Sequence, residues 1–285
     1  MGFNLYWGDS HTNIHSRHLE DLDQTFKHAR QVLDFFPIAY YPFYYYKENG
    51  LRIESCGHKQ EFDRDWEIVS KMIHDHHDPG EFVTFLGYEW HGNRRLYGDH
   101  NVFYLDDFKP LRDCDTIQEL YQFLRRKKGL AFPHHTGYKV KERGKDWDYF
   151  DPEISPVAEI YSAHGSSEGC NTPFTLKHNQ SMGPRAYKGT IQAGLEKGHK
   201  FGFIASGDSH YGVPGVWGHG LMGVYAGDLT RKGLWQALKA RRTYAVTGDR
   251  IKLKFQTGRA FMGEVTSGNL SPQFKVSVTG SGAVE

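Results

Sequence analysis

The chain has 285 residues, and its 35 lysines and arginines nearly cancel its 34 aspartates and glutamates. This balance excludes the strongly basic surface of a nucleic-acid-binding protein, and no apolar run reaches the roughly 20 residues that cross a bilayer. The 17 histidines therefore do not serve as extra positive charge for a polyanion, and a common specialised role of imidazole is metal binding.

The composition predicts one large folded domain in the cytoplasm. A share of 38% hydrophobic and 15% aromatic residues suffices for a sizeable core. Met1 leads directly into a polar strand pattern, without the charged and apolar regions of a signal peptide. We therefore expect a cytoplasmic protein that acts on a small molecule and contacts neither nucleic acid nor a membrane; its oligomeric state is left open.

In the first half of the chain, apolar spacing predicts alternating strands and helices. Residues 4–8 have a strand pattern, and apolar side chains recur at steps of three and four over 19–33, as on one face of a helix. Further along, the pattern predicts a buried strand over 33–41, a tyrosine-rich loop over 40–46, a helix over 59–77, and strands over 82–88 and 102–105.

The second half continues this alternation and then changes character. Thr116 is the expected N-cap of a helix that ends near Arg126, with Gly129 just beyond it. The pattern next predicts strands over 130–132 and 157–161, a helix over 186–197, strands over 201–205 and 221–226, and a helix over 229–241. Residues 251–257 and 273–279 alternate apolar with polar side chains, which is typical of antiparallel strands.

These elements predict an α/β protein with a parallel sheet closed into a TIM-like barrel. The barrel domain is expected over residues 1–249 and a short C-terminal β appendage over 250–285. Two hairpin-like strands are marginally stable alone. The appendage therefore either packs on the barrel or is the first part of a β module cut off at Glu285.

Five short stretches carry metal-binding residue types where a strand gives way to a loop. They are GDSH at 8–11, GYEWH at 87–91, GDHN at 98–101, FPHH at 132–135 and SGDSH at 206–210. In a parallel barrel, the carboxyl ends of the strands gather around one cavity. A single histidine is more often a surface or hydrogen-bonded residue than a ligand, so the prediction of a metal site depends on all five stretches together.

Particular side chains in these stretches are predicted ligands. A carboxylate such as Glu89 at the end of an apolar strand is costly unless a cation or donor meets it. His11 and Asn13 share one face if the strand continues, as do Asp208 and His210, although Asp208 could instead be an N-cap. Of the adjacent pair in FPHH, His134 is chosen. Imidazole and carboxylate ligands hold zinc, manganese or iron.

Other side chains are candidates for substrate binding and proton transfer. Arg94, Arg95 and Lys139 lie in predicted loops on the same face and could grip an anionic substrate, or could be solvated loop charges. Tyr41 and its neighbouring tyrosines could line a pocket or pack on the barrel rim. His210 or His164 could carry a proton to the leaving group, a role that suits a pKa near about 6.5.

The order of the motifs resembles the PHP (polymerase and histidinol phosphatase) superfamily of metal-dependent hydrolases. GDSHTN at 8–13 is similar to its opening motif, FPHHTG at 132–137 to its HP motif, AEIYSAHGSSEG at 158–169 to the strand and loop that follow, and SGDSHYG at 206–212 to its closing motif. RRTYAVTGDRI at 241–251 resembles a signature of one branch with unsettled substrates.

The resemblance implies a distorted (β/α)7 barrel and a centre of two or three divalent ions. It implies that His11, Glu89 and Asp208 hold one ion, that Glu89 as a bridge, His100 and His134 hold a second, and that His210 with His18 holds a third. The chain departs from the family pattern where Asn13 replaces a histidine and where Tyr40 and Tyr41 replace an aspartate-histidine pair. Two ions are therefore favoured over three.

The predicted function is that of a metal-dependent hydrolase. Metal-activated water would attack a phosphoester, or another ester or amide, of a small molecule, with His210, His164 and Glu89 as the catalytic residues. Two alternatives remain open: a lyase or isomerase that uses the same centre as a Lewis acid, and a metal-binding scaffold whose catalysis has lapsed.

Overall fold

A computed structural model of the chain describes residues 2–48, 51–56, 59–267, 271–280 and 282, with the backbone alone for 44–48, 51–56 and 59. In chain order the strands are β1 (Asn4–Gly8), β2 (Asn13–Ile14), β3 (Phe35–Pro37), β4 (Ala39–Tyr40), β5 (Phe43–Glu48), β6 (Leu51–Cys56), β7 (Val83–Phe85), β8 (Gly87–Trp90), β9 (His100–Tyr104), β10 (Gly129–Pro133), β11 (Val157–Ser162), β12 (Gly165–Ser166), β13 (Gly202–Ala205), β14 (Leu221–Ala226), β15 (Thr243–Val246), β16 (Lys252–Thr257), β17 (Ala260–Phe261) and β18 (Phe274–Thr279).

The α-helices are α1 (Leu22–Val32), α2 (Lys59–Asp75), α3 (Arg94–Tyr97), α4 (Ile117–Lys127), α5 (Asn179–Met182), α6 (Ile191–Glu196) and α7 (Arg231–Lys239), and short 3₁₀ helices cover Ser16–His18 and Tyr187–Gly189. No helix of the described residues is long and apolar enough to cross a membrane.

Two five-stranded sheets and one three-stranded sheet surround the interior. The first has the order β15-β14-β1-β3-β7, the second β10-β9-β8-β4-β2, and the third β12-β11-β13. The predicted strands over 33–41 and 82–88 each divide into two short strands that belong to different sheets. The breaks fall at Ile38 and Leu86, which lie between β3 and β4 and between β7 and β8. Each long apolar run thus passes from one sheet into the next.

The expected closed barrel of parallel strands is corrected to an open, mixed arrangement. β1, β3 and β7 are parallel, as are β2, β4 and β8, but β8, β9 and β10 pair in antiparallel order. β10 lies beside β11 and β13 beside β15, yet no ladder of the described strands closes the ring at these places. The link from Trp90 to His100 is shorter than the crossover of about a dozen residues that a parallel pair requires.

Local sequence signals explain the best-predicted helices. Thr116 caps α4 through a reciprocal pair of bonds with Glu119, and Thr230 caps α7 by accepting from the Gly233 N–H. The predicted helix over 186–197 is shorter than expected. Thr190 caps α6 and begins a new helix after a 3₁₀ turn, and a Cβ at Gly189 would lie 2.3 Å from the Thr136 carbonyl oxygen.

The tyrosine-rich segment predicted as a loop over 40–46 leads into strand β5 instead. β5 and β6 pair in antiparallel register, which period-2 alternation did not indicate because all six residues of β5 are aromatic or charged. The side chains of Tyr44, Tyr45 and Tyr46 lie outside the described part of the structure.

The described C-terminal residues pack on the main body. β16 pairs with β17 and β18 in a separate antiparallel sheet, as the alternation predicted. Tyr225 donates its hydroxyl to the Leu253 carbonyl at 2.9 Å, and the Tyr225 and Phe261 rings meet edge to face at 5.1 Å. The division into residues 1–249 and 250–285, and the alternative of a β module that begins here, stay predictions.

Candidate metal centre

All five histidine-containing stretches meet at one end of the sheets. His11 follows β1, Glu89 lies in β8, Asp99 precedes β9, His134 follows β10 and Asp208 follows β13. Each stretch contributes at least one side chain to one or more groups of three residues, and within each group the ligand atoms lie within 4.8 Å of one another. Side chains separated by up to about two hundred residues in sequence therefore converge because the strand ends converge.

One group of potential ligands contains His11, Glu89 and His134, all fully buried. His11 Nε2 lies 3.8 Å from Glu89 Oε2, and His134 Nε2 lies 3.5 Å from Glu89 Oε1. Two ligand atoms bonded to the same ion at about 2.1 Å in tetrahedral geometry lie about 3.4 Å apart. The spacing therefore fits joint ligation of one ion.

A second group contains His135, His164 and Asp208. His164 Nε2 lies 3.1 Å from Asp208 Oδ2, and the other carboxylate oxygen of Asp208 lies 3.4 Å from His11 Nε2. Asp208 thus links the two groups. The backbone of Asp208 and of His135 is left-handed, with φ of 49° and 33°, which is uncommon for residues other than glycine and clusters at functional sites.

Glu159 on β11 orients His11. The His11 Nδ1–H donates to Glu159 Oε2 at 2.9 Å, and the Ser206 hydroxyl donates to the same oxygen at 2.5 Å. The other oxygen accepts the His135 backbone N–H at 3.1 Å. With Nδ1 engaged in this way, Nε2 is the ring nitrogen of His11 that faces Glu89 and Asp208. A carboxylate behind a histidine commonly fixes the tautomer of a metal ligand.

Asp9 ties the first loop of the centre to the last. Its carboxylate accepts the backbone N–H groups of His11, Gly207 and Gly215 at 3.0, 2.8 and 3.0 Å and the hydroxyl of Thr12 at 3.2 Å. A Cβ at Gly207 would lie 2.7 Å from Asp9 Oδ2, so glycine allows this close approach. The loops that carry His11 and Asp208 are thereby fixed to each other.

The residues predicted for a third ion form a different arrangement. His210 Nε2 lies 3.1 Å from the Asn13 amide nitrogen, and His210 Nδ1 lies 2.9 Å from His15 Nε2. His18 Nδ1 accepts the His15 backbone N–H at 3.2 Å. Neither His18 nor His210 belongs to any described group of ligand atoms, so their assignment as ligands stays a prediction.

The two tyrosines that replace the family's aspartate-histidine pair have separate structural positions. Tyr40 donates its hydroxyl to Asp65 at 3.1 Å, and Ser16 donates to the same carboxylate oxygen at 2.5 Å. The buried ring of Tyr41 packs against His15 and His210 with centroids 4.6 and 5.1 Å apart. An aromatic ring thus lies among the histidines of the predicted third site.

His100 is fully buried, and neither ring nitrogen has a partner among the described residues. It is absent from the described ligand groups, although its ring lies 5.7 Å from that of Trp90 in β8. Burial holds the pKa of His100 well below its ordinary value, with Lys145 adding to the effect. The structure thus places a neutral imidazole beside the centre without bringing it to the other ligands.

The predicted anion-binding residues Arg94, Arg95 and Lys139 occupy separate positions, and of the three only Arg94 contacts residues of the centre. Arg94 donates two N–H groups to Asp99, at 2.8 and 2.9 Å. Arg95 borders a separate depression with Asp115 and Thr116. The Lys139 side chain is 56% exposed and pairs with Glu142 at 3.0 Å. Substrate binding by these residues stays a prediction, since none of them borders the cavity described below.

A cavity of about 820 Å³ opens above the two ligand groups. The residues with ionisable or hydrogen-bonding side chains that border it include His15, Arg17, Tyr41, Glu89, His135, Arg143, His164, His178, Asp208, His210, Tyr211 and His219. A larger groove of about 1370 Å³ lies between β13 and the C-terminal sheet, but none of the described ligand groups borders it. The smaller cavity is therefore the candidate reaction chamber.

Four buried carboxylates lie around the centre, but only one has matching cationic partners. Asp99 accepts from both Arg94 and Arg143. Glu89, Glu159 and Asp208 contact histidines, and no lysine or arginine of the described residues lies within ion-pair distance of them. Buried carboxylates are costly without a compensating cation.

The pKa values follow from this excess of negative charge. Burial raises the pKa of Asp208 to about 7, and the charges of Glu159 and Glu89 add to the rise. Burial alone would lower the pKa of His11, but Asp208 and Glu159 raise it well above its ordinary value. Burial also lowers the pKa of His164 to about 3 and that of His210 to about 4. Most of the imidazoles are thus neutral near pH 7, the form that binds metals.

The residues fit a divalent ion by an independent criterion. Buried ligand atoms without a hydrogen-bond partner concentrate here: His11 Nε2, Asn13 Oδ1, Glu89 Oε2, both ring nitrogens of His134, His135 Nδ1 and Asp208 Oδ2. Native proteins rarely leave buried polar atoms unpaired, and an ion is one explanation for such atoms.

Several residues of this centre were missed by the sequence analysis, namely His15, His91, Asp99, His135 and Glu159. His91, Asp99 and His135 lie in three of the five metal-binding stretches, each near a residue that was chosen, and His15 lies four residues beyond the first stretch. Glu159 had a signal like that of Glu89, because it is a carboxylate within the apolar strand VAEIYS.

Comparison with known sequences gives relatives without an assigned activity. A family described as a protein of unknown function (DUF3604) matches residues 215–276. An uncharacterized protein of Chlamydia pneumoniae is 32% identical over 235 residues, which cover 77% of this chain and 37% of that protein. An uncharacterized protein of Chlamydia trachomatis is 26% identical over 234 residues, with 76% and 37% covered. The chain spans about 37% of the length of these relatives.

Comparison with solved structures shows that two other proteins have a similar fold. A two-domain protein of Bacteroides vulgatus that contains a predicted PHP-like metal-dependent phosphoesterase superposes with a TM-score of 0.51 at 13% identity, covering 100% of this chain and 89% of that one. PsfC from Pseudomonas syringae also has a TM-score of 0.51, at 12% identity, with 85% and 91% covered.

Proposed function

We propose that the chain is a metal-dependent hydrolase that binds two divalent ions, zinc, manganese or iron, and cleaves a phosphoester of a small molecule, or another ester or amide. The observation that carries the proposal is the set of buried, unpartnered ligand atoms around Glu89 and Asp208. One structure of similar fold contains a predicted PHP-like metal-dependent phosphoesterase, which favours phosphoester among these bonds.

His11, Glu89 and His134 would hold one ion, and His135, His164 and Asp208 the other. These two groups share no residue, yet the 3.4 Å between His11 Nε2 and Asp208 Oδ1 places them side by side. Bound ions of this kind polarise the scissile oxygen and lower the pKa of water from 15.7 towards about 7.

The chain's own side chains would orient the ligands and move protons. Glu159 holds His11 in the tautomer with Nε2 free, and Asp9 fixes the two ligand-bearing loops. His210 borders the cavity and is neutral near pH 7, because burial lowers its pKa to about 4. A neutral imidazole there can accept a proton from the attacking water and later return it to the leaving group.

Metal analysis and a substrate screen test the proposal. The full chain, purified without added ions, is expected to contain divalent metal, to hydrolyse at least one member of a panel of phosphoesters, carboxylic esters and amides, and to lose this activity with a chelator. A chain that binds metal but turns over none of the panel would instead support the scaffold alternative.

Substitution of Glu89 tests the site itself. Glu89→Gln keeps the size of the side chain and removes the charge that faces His11, His91 and His134. We expect this variant to lose at least one ion per chain by elemental analysis and to lose turnover. Glu81→Gln, at an exposed turn position, is the matched control and is expected to retain both. If Glu89→Gln kept its full metal content and rate of turnover, Glu89 would be neither a metal ligand nor a catalytic residue.

A further inference from the structure

Arg17 borders the mouth of the cavity with its charge unmatched. Among the described residues, two side chains on the cavity wall are permanently cationic, Arg17 and Arg143. Arg143 donates its Nε–H and an Nη2–H to Asp99, at 3.0 and 2.6 Å. Arg17 has no carboxylate of the described residues within ion-pair distance, and the acceptors it contacts are neutral.

Two hydrogen bonds hold the Arg17 guanidinium beside the centre. Its Nη2–H donates to the His210 carbonyl at 3.0 Å and its Nε–H to His18 Nε2 at 3.1 Å. A guanidinium has five N–H donors, so these two bonds leave three for a ligand. Arg17 is therefore tied to the segment that carries His210 while it keeps most of its donors.

The short helix that carries Arg17 is itself anchored. Ser16 donates to the fully buried carboxylate of Asp65 on α2, which also accepts the Tyr40 hydroxyl. This anchor reduces the entropy lost when Arg17 closes on a ligand, since its backbone is already fixed. An exposed arginine held by its neighbours on a cavity rim is suited to binding an anion rather than to general solubility.

We propose that Arg17 forms an anion subsite, so that the substrate carries a second negative group, a carboxylate or a phosphate, away from the bond that is cleaved. This inference rests on the proposed function, which places the scissile group at the buried ligands. Glu89 and Asp208 line the buried end of the same cavity and Arg17 its exposed rim. A substrate with an anionic far end would therefore enter with one orientation.

Three phosphonates that resist hydrolysis test the subsite by direct binding. Propylphosphonate has a neutral far end, 3-phosphonopropionate ends in a carboxylate, and 1,3-propanediphosphonate ends in a second phosphonate. Each is titrated by calorimetry into the manganese-loaded full chain. The wild type is expected to bind at least one of the two doubly anionic compounds about tenfold more tightly than propylphosphonate, as a charged hydrogen-bonded contact implies. The doubly anionic compound with the larger gain in affinity shows whether the subsite prefers a carboxylate or a phosphate.

Variants of Arg17 test whether this residue causes the tighter binding of the doubly anionic compounds. In Arg17→Gln the roughly tenfold advantage is expected to disappear, and in Arg17→Lys part of it remains because the charge persists without the planar fork. Arg126→Gln, an exposed change of the same type on α4, is expected to keep the full advantage. Propylphosphonate affinity should stay the same in all three variants.

Two kinds of outcome would overturn the inference, and they differ in whether they also contradict the proposed function. In the first kind, the doubly anionic compounds gain as much affinity over propylphosphonate in Arg17→Gln as in the wild type, or gain none in the wild type while propylphosphonate still binds. Either result would show that Arg17 forms no anion subsite and would leave the hydrolase proposal intact. Absence of binding by all three phosphonates to the manganese-loaded wild type contradicts the proposed phosphoester function, and the subsite ends with it.

Discussion

Glu159 illustrates how a single buried carboxylate can set the chemistry of a ligand that it does not replace. One of its carboxylate oxygens contacts both His11 and Ser206 and the other accepts the His135 backbone N–H, so all of its described partners lie in or beside the candidate centre. Burial alone would raise the pKa of Glu159, but His11 lowers it to about 2. An ionised partner keeps a proton of His11 on Nδ1, so that Nε2 is the nitrogen that faces the other ligands and would bind an ion.

We predict that Glu159→Gln weakens metal binding by a factor on the order of 10 to 100, as loss of a carboxylate behind a ligating histidine does. A neutral amide has no charge to fix the His11 tautomer and can present a donor to Nδ1. Chelator competition with zinc or manganese measures the affinity.

Glu168→Gln is the control for this prediction. Glu168 is an exposed residue of the loop that follows β12. The Glu168→Gln variant should therefore bind metal with the same affinity as the wild type. Equal affinities in Glu159→Gln and Glu168→Gln would show that the contact with His11 has no bearing on metal binding.

Among the elements, the loops after β1 and β13 form one unit. Asp9 bonds to donors in both, and the Asn13 backbone N–H reaches the Ser209 carbonyl at 2.8 Å. The loops run side by side because Thr12 and Ser209 form an isolated parallel bridge. His11 and Asp208 are proposed ligands in these two loops. Their positions therefore depend on Asp9, which is not itself a proposed ligand.

Asp9→Asn is expected to lower the free energy of unfolding by roughly 2 to 6 kcal/mol. Each carboxylate oxygen accepts two donors, so an amide nitrogen in place of either oxygen leaves two buried donors unmatched, at about 1 to 3 kcal/mol each. Urea denaturation of the metal-free protein measures the change.

A matched surface variant separates this effect from a general response to charge removal. Asp75→Asn breaks an exposed pair with Lys71 at the end of α2 and should change stability by less than about 0.5 kcal/mol. If Asp9→Asn is as stable as Asp75→Asn, the loops after β1 and β13 do not depend on this carboxylate.

At the scale of the whole molecule, the sequence predicts local elements better than their assembly. Thr116 and the apolar spacing behind it are enough to place α4, because a cap and a helical face are local properties. The break of the 33–41 run at Ile38 is not a local property, because it depends on the pairing of β3 and β4 with strands that lie more than forty residues further along. The open, mixed sheets follow from such distant pairings.

The centre shows the same division between local and distant information. Glu89 could be predicted because a carboxylate in an apolar strand is anomalous wherever that strand lies. The contact between His11 and Glu159 could not, since 148 residues separate them and neither stretch indicates the other. Similarly, Arg17 has no sequence signal, because its place on the cavity rim depends on the loop that carries His210.

The buried histidines make the metal-free molecule sensitive to acid. Burial lowers the pKa of His15 and of His164 to about 3 and that of His210 to about 4, against an ordinary value near 6.5. The unfolded chain therefore binds more protons than the folded chain between these values, and stability is lost as the pH falls below 6.5. Asp208 acts in the opposite direction. Its pKa of about 7 exceeds its unfolded value, so the folded state gains stability as the pH falls from 7 towards 4.

We predict a net loss of about 1 to 3 kcal/mol for each pH unit between 6.5 and 4.5, because the three histidines together outweigh the single carboxylate. Denaturant unfolding of chelator-treated protein at pH 6.5, 5.5 and 4.5 measures the slope. Asp208→Asn removes the opposing group and should steepen the loss by about 1 kcal/mol per pH unit. Stability that is independent of pH in this range, or a shallower slope in Asp208→Asn than in the wild type, would contradict the charge balance inferred for the centre. A steeper slope would show that the centre lacks positive charge in the absence of metal, which is the condition that a pair of divalent ions would relieve.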